Sequence, residues 1–171
     1  MCINKLSEKI EYSFKNEALL RQALTHSSSG TVNYERLEFL GDAVLELFTS
    51  KWLFDKEPKM SEGNLTKLRA EMVCEEALYS FANHLELSSY IILGKGEALN
   101  GGREKPSILA DIVEAIIGAI FLDGGYEEAA KFVLKHNVYA YDMIKNGRIR
   151  SDYKSALQEL LQKVMLFYFF L

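Results

Sequence analysis

Carboxylates stand at two places in this chain where a helix of its composition should carry apolar side chains. The run Glu35-Arg36-Leu37-Glu38-Phe39-Leu40-Gly41-Asp42-Ala43-Val44-Leu45-Glu46 has helical periodicity. At about 100° per residue, Glu35, Glu38, Asp42 and Glu46 fall within roughly 80° of one another. Most of the remaining circumference is apolar, with Leu37, Leu40, Ala43, Val44, Leu45, Leu47 and Phe48. The polar face is thus a narrow acidic stripe, and like charges at i, i+3 and i+4 repel. The second place is sharper. Asp111 to Leu122 reads Asp-Ile-Val-Glu-Ala-Ile-Ile-Gly-Ala-Ile-Phe-Leu, in which only Asp111 and Glu114 are polar, side by side at i, i+3. A helix apolar all round belongs among other helices, and Gly118 would let one of them approach closely.

A buried carboxylate is costly unless it is paired or ligates a metal. Three arrangements would offset the cost. Basic partners are one, with Arg36 and Arg69 as candidates. A proton shared between carboxylates is another. The third is a hard cation, because an oxygen-only donor set suits magnesium or manganese. A di-iron bundle would need Glu-x-x-His pairs, and none of His26, His84 and His136 follows a glutamate by three positions. Carboxylates gathered around magnesium would fit phosphoryl-transfer chemistry. No Gly-x-x-x-x-Gly-Lys phosphate loop competes with that reading.

The elements that must position these acids read as helices. Asn16 is an N-cap for a helix over Glu17 to about Leu24. Thr25 to Val32 reads as a loop. A long helix is expected from about Asn33 to Phe54, and Ser61 is expected to cap one running to about Ala82. A short helix over Asn83 to Leu87 follows, then an irregular stretch from Ile91 to Lys105 with four glycines. Pro106 and Ser107 open a helix that stops near Asp123-Gly124-Gly125, and Tyr126 to about Ala140 continues as helix. Asn146-Gly147 marks a turn and the end of a domain. Ser151 to Lys163 reads as one more short helix. The predicted class is all-α.

The composition suits such a domain. The chain has 171 residues, 49% apolar and 26% charged, which is enough for one core. The net charge of −4 argues mildly against a nucleic-acid partner, but basic residues cluster at Lys95, Arg103 and Lys105 and again at Lys145, Arg148, Arg150 and Lys154. Cys2 and Cys74 have no metal-type spacing and are expected to be reduced intracellular thiols. No secretory signal is expected from the first thirty residues, and no stretch reaches bilayer length.

Glu35 to Ala43 resembles the signature of the ribonuclease III family. Ala23-Leu24-Thr25-His26-Ser27, Ser61-Glu62-Gly63-Asn64-Leu65 with Lys67-Leu68-Arg69-Ala70, and Lys105 to Asp111 through Glu114-Ala115 resemble its other motifs in order and spacing. The resemblance covers about Leu6 to Tyr141. It implies an all-helical endonuclease domain acting as a homodimer in the cytoplasm. It implies magnesium, with manganese able to substitute, held by Glu38, Asp42, Asp111 and Glu114, of which Asp42 and Glu114 are catalytic. Glu35 and Glu62 match two further acids near the substrate or a second metal, the alternative being solvated helix charge. Phe39 matches an aromatic that enters the partner subunit, the alternative being ordinary core packing. His26 matches a position better suited to structural hydrogen bonding than to catalysis. Glu46 has no counterpart and reads as solvated.

The implied activity is hydrolysis of double-stranded RNA to 5′-phosphate and 3′-hydroxyl ends, of the rRNA and mRNA processing type. Duplex RNA would be read by shape and by its 2′-hydroxyls. The alternatives are a catalytically silent RNA-binding or scaffolding relative and an inactive truncated product. Residues 1–146 are expected to form the endonuclease domain. Residues 147–171 are expected to hold a linker and the incomplete first helix of a double-stranded-RNA-binding domain. Asp152 to Gln162 resembles that helix, with Gln158, Glu159 and Gln162 at positions that touch the minor groove. Val164 to Leu171 departs from the pattern in being almost wholly apolar.

Overall fold

The computed structural model describes residues 3–148 and residue 161. Among them the chain is helical, with an isolated bridge between Thr25 and Ile92 and no strand. The helices are α1 (Ile3–Ile10), α2 (Glu17–Ala23), α3 (Glu35–Lys56), α4 (Glu62–Val73), α5 (Glu75–His84), α6 (Lys95–Leu99), α7 (Pro106–Gly124) and α8 (Tyr126–Lys145). Apart from Leu161, the expected helix over 151–163 lies outside the described residues, as do Gln158 and Gln162, expected to contact the groove, and the tail 164–171.

The centre of the bundle is α7. Pro106 sits at its first position, where the missing N–H costs nothing. From Ile112 to Ile120 every side chain except Glu114 is buried, as the sequence of that helix requires. Around it pack α2, α3, α5 and α8. The tightest crossing is between α3 and α7. A Cβ on Gly41 would lie 1.8 Å from the Glu114 carbonyl oxygen, and one on Gly118 would lie 2.2 Å from the Leu37 carbonyl oxygen. Two glycines facing each other thus let the backbones touch. Because Gly41 lies between Glu38 and Asp42, and Gly118 lies one turn after Glu114, this contact fixes the acids of α3 against those of α7.

Several boundaries differ from expectation. Asn16 caps α2 as predicted, its side-chain oxygen accepting from the Ala18 N–H. Ser61 occupies the cap of α4 with extended backbone but makes no side-chain cap bond. The single helix expected from Ser61 to Ala82 does not form: Cys74 is extended, with φ −70° and ψ 160°, and splits it into α4 and α5. The break lets two differently directed faces be buried, Leu68 and Met72 on α4 and Ala77, Leu78, Phe81 and Ala82 on α5. The short helix expected over 83–87 is replaced by a left-handed Glu86 (φ 56°) and a turn of 3₁₀ helix at Leu87–Ser89. The glycine-rich stretch is less irregular than expected, since it holds α6. The α1 helix was not anticipated, although Leu6 and Ile10, four apart and both buried, carry its pattern.

A second, smaller cluster lies apart from the main core. Leu53 of α3, Leu68 and Met72 of α4, Ala77 of α5 and Ala140 of α8 form it, with Trp52 and Tyr141 against them. Two buried polar contacts belong to this end. Thr49 Oγ1 donates to Asn137 Oδ1 at 2.9 Å, and the His136 Nε2–H donates to the Met72 carbonyl at 2.8 Å.

Candidate metal centre

Carboxylate oxygens of Glu38, Asp111 and Glu114 lie within 4.8 Å of one another. Each of the three residues is partly buried. Asp42, one turn along α3 from Glu38, is exposed and stands outside that three-oxygen set, yet its charge raises the pKa of both Glu38 and Glu114. The structure therefore brings three of the four acids matched to metal ligands into one group, and leaves Asp42 outside it but near enough to act on Glu38 and Glu114.

The electrostatics are those of a site awaiting positive charge. Burial pushes the Glu114 carboxyl up to about 8, with Asp42, Glu38 and Asp111 adding to the rise. Glu38 is also raised, first by burial and then by Asp111, Glu35 and Asp42. Asp111 is raised by burial and by Glu75, against the lowering effect of its hydrogen bond from Tyr34 and of His26. The charges that shift Glu38 and Glu114 are all carboxylates. Of the two arginines that could have neutralised the acids, Arg69 is engaged elsewhere. Its Nε pairs with Glu46 at 2.9 Å and its Nη1 donates to Ser50 Oγ at 2.9 Å. Glu46, expected to be merely solvated, is thus the acid that takes the ion pair. A hard divalent cation fits the remaining set: the donors are carboxylate oxygens on separate helices, close enough to share one ion and uncompensated by these bases.

The other predicted residues fall as follows. Glu35 opens α3, exposed, and is near enough to act on Glu38. Glu62 opens α4, exposed, and accepts from Thr66 Oγ1 at 3.0 Å; it is not part of the three-carboxylate group. Phe39 is 82% exposed, which removes the core-packing alternative. Leu47, Phe54 and Ala43 are exposed on the same helix, so Phe39 belongs to an apolar stripe of α3. His26 caps the 3₁₀ turn Ser27–Ser29, its Nδ1 accepting from the Ser28 N–H, in keeping with a structural role.

Two contributors were missed in the sequence. In the sequence Gly41 reads only as part of a motif, whereas in the structure it is half of the crossing that registers the acids. Tyr34 is 4% exposed and donates its hydroxyl to Asp111 Oδ2 at 2.9 Å. It precedes the acidic helix and is 77 positions from Asp111, so no periodicity could have connected them.

Comparison with known proteins finds relatives over most of the chain. A family model described as Ribonuclease-III-like matches residues 16–140. A protein named Ribonuclease 3 from Pelotomaculum thermopropionicum is 47% identical over 165 residues, covering 92% of this chain and 68% of that protein. Another of that name from Bacillus cereus is 53% identical over 165 residues, covering 91% of this chain and 66% of its own length. The chain thus spans about two thirds of these relatives. Among solved structures, a nuclease domain of ribonuclease III from Campylobacter jejuni, described for structural flexibility in a region involved in dimer formation, superimposes with TM-score 0.79 and 48% identity. That match covers 82% of this chain and 99% of the other. Dicer from Pichia stipitis is more distant, with TM-score 0.58 and 28% identity over 77% of this chain and 57% of that one.

Proposed function

The chain belongs to the ribonuclease III family of endoribonucleases, and from that premise we propose that its acidic centre holds magnesium, or manganese in its place, and hydrolyses double-stranded RNA to 5′-phosphate and 3′-hydroxyl ends. The observation that carries this reading is the convergence of Glu38, Asp111 and Glu114 oxygens within 4.8 Å on two helices whose neighbours are apolar. Glu38, Asp42, Asp111 and Glu114 are the residues that would hold the ion. A bound divalent cation supplies charge at a phosphate oxygen and lowers the pKa of a water molecule. The chain's own part is to fix the oxygens through the Gly41–Gly118 crossing and to keep the site partly desolvated. Glu114 holds a proton near neutral pH while no positive charge is present and releases it when one arrives. Asp42 and Glu114 are the catalytic acids of this scheme. Glu35 and Glu62 act nearer the substrate.

Each centre would cut one strand, and a homodimer would supply two. The exposed Phe39, Ala43 and Leu47 stripe supports that assembly, because an isolated subunit has no reason to leave a phenylalanine 82% exposed beside further apolar residues. Sedimentation of the intact chain at micromolar concentration should show a dimer that Phe39→Asp converts to monomer. Processing of ribosomal and messenger RNA in the cytoplasm is the setting this activity suits. Among the described residues no helix is long and apolar enough to cross a membrane.

The direct test mixes the chain with a long RNA duplex, with and without magnesium, beside a Glu114→Gln variant. Magnesium-dependent shortening of the duplex by the wild type alone is expected. A wild type that binds the duplex and leaves it as intact as the variant does would refute the enzymatic reading.

A further inference from the structure

We propose that Tyr34 is a positioning residue of the acidic centre: its hydroxyl fixes Oδ2 of Asp111 so that the other carboxylate oxygen is the one presented to the cation. This inference rests on the metal reading above. The observation behind it is that Tyr34 is held from three sides and touches both helices that bear the ligands. Its backbone N–H donates to the Thr25 carbonyl at 2.9 Å, and its ring meets the His26 ring edge-on, with centroids 5.6 Å apart. Its carbonyl accepts the N–H groups of Leu37 and Glu38, at 2.8 and 2.9 Å, at the start of α3. Its hydroxyl reaches across to α7 and Asp111 Oδ2 at 2.9 Å. One nearly buried side chain therefore ties the helix carrying Glu38 to the carboxylate of Asp111.

Tyrosine suits this place for a chemical reason. A lysine or arginine there would neutralise Asp111 and compete with a cation. A phenol beside a carboxylate donates one hydrogen bond and leaves the charge in place. It also restricts the rotation of Asp111, so less freedom is lost when an ion binds. The loop motif Thr25-His26-Ser27, which the cleavage chemistry does not use, acquires a role as the buttress of this contact. The His26 N–H donates to the Ile92 carbonyl at 2.9 Å, and the Gly94 N–H donates to Ser28 Oγ at 3.0 Å. A Cβ on Gly94 would lie 2.3 Å from the Ser28 carbonyl oxygen, so the two segments are in backbone contact. The wall against which the Tyr34 ring rests is thereby made rigid.

Manganese binding by the intact chain, measured by calorimetry on wild type, Tyr34→Phe, Asp111→Asn and the double variant, tests the proposal. Tyr34→Phe keeps the ring and removes only the donor. Its dissociation constant for manganese should rise about 10–100-fold, the usual effect of losing an outer partner of a ligand. In the Asp111→Asn background the same change should have almost no effect, because Tyr34 acts through Asp111. A Tyr34→Phe variant binding manganese within twofold of wild type would overturn the positioning role while leaving the metal reading intact. A wild type with no saturable manganese binding would overturn both. Should Tyr34→Phe fail to fold, the wild type still decides. The Tyr34 hydroxyl proton should give a slowly exchanging resonance that persists when magnesium saturates the site, and its loss on magnesium binding would contradict the proposal.

Discussion

Two regions of this bundle bury polar groups, and they do so in opposite ways. Around Thr49, His136 and Asn137, between α3, α4 and α8, the polar atoms answer one another: hydroxyl to amide, imidazole to the Met72 carbonyl. Of the buried side-chain nitrogens and oxygens among the described residues, only His136 Nδ1 has no hydrogen-bond partner. Around Glu114, between α3 and α7, carboxylates face carboxylates and the nearby Arg69 is turned to Glu46. The first region is paired by the fold apart from that one nitrogen. The second is left with acidic groups that this arginine does not offset, and that deficit is what supports the proposal that a cation binds there. The two also respond to acid with opposite sign. Glu114 is raised in the folded chain, so its contribution to metal-free stability is greatest at low pH and is lost as pH rises from about 4.5 through about 8. His136 is lowered by burial to about 4 from an ordinary 6.5, so its contribution is complete above 6.5 and is lost as pH falls toward 4.

The contrast can be broken most strongly at Glu114. Glu114→Gln should lower the magnesium-dependent cleavage rate by about a thousandfold or more, while the metal-free melting temperature stays level or rises, since an uncompensated carboxyl has been removed. A fall in both together, followed by cleavage assays and thermal melts, would make Glu114 structural. Next is the crossing that sets the acids. Gly118→Ala would place a methyl 2.2 Å from the Leu37 carbonyl oxygen, and the helices must part. A loss of about 3 kcal/mol in urea unfolding is expected, with weakened manganese binding in the fraction still folded.

The paired region should show stability effects alone. Between pH 6.5 and 4, protonation of His136 in the unfolded chain should remove about 3 kcal/mol of stability. A His136→Phe variant should be flatter over that range in urea titrations. Smallest is Thr49→Val, which leaves the Asn137 oxygen without its donor. It should cost about 1–2 kcal/mol and leave manganese affinity unchanged; any change in that affinity would show that the two regions are coupled.

How far the sequence foretold this depends on whether a feature is local. The acids of α7 stood out because an i, i+3 pair of carboxylates inside an otherwise apolar helix is costly unless something offsets it. The close approach at Gly118 was legible for the same reason, and the Asn16 cap because its signal spans only a few residues. The break at Cys74 was not, since no glycine or proline marks it; it arises because α4 and α5 bury different faces. Tyr34 was invisible because its partner is distant in the chain. The Arg69–Glu46 pair was also hidden. In the sequence Arg69 is a candidate partner for any of the acids, and only the packing of α4 on α3 shows that it reaches Glu46.

Calorimetric titration of manganese into the intact chain near pH 7, repeated in buffers of different ionisation enthalpy, tests the central claim most directly. One saturable site whose occupation releases close to one proton is predicted, because Glu114 is protonated there until positive charge arrives. Saturable binding that is lost in Glu114→Gln would complete the result. Absence of a saturable site, or binding undiminished by that substitution, would contradict the account.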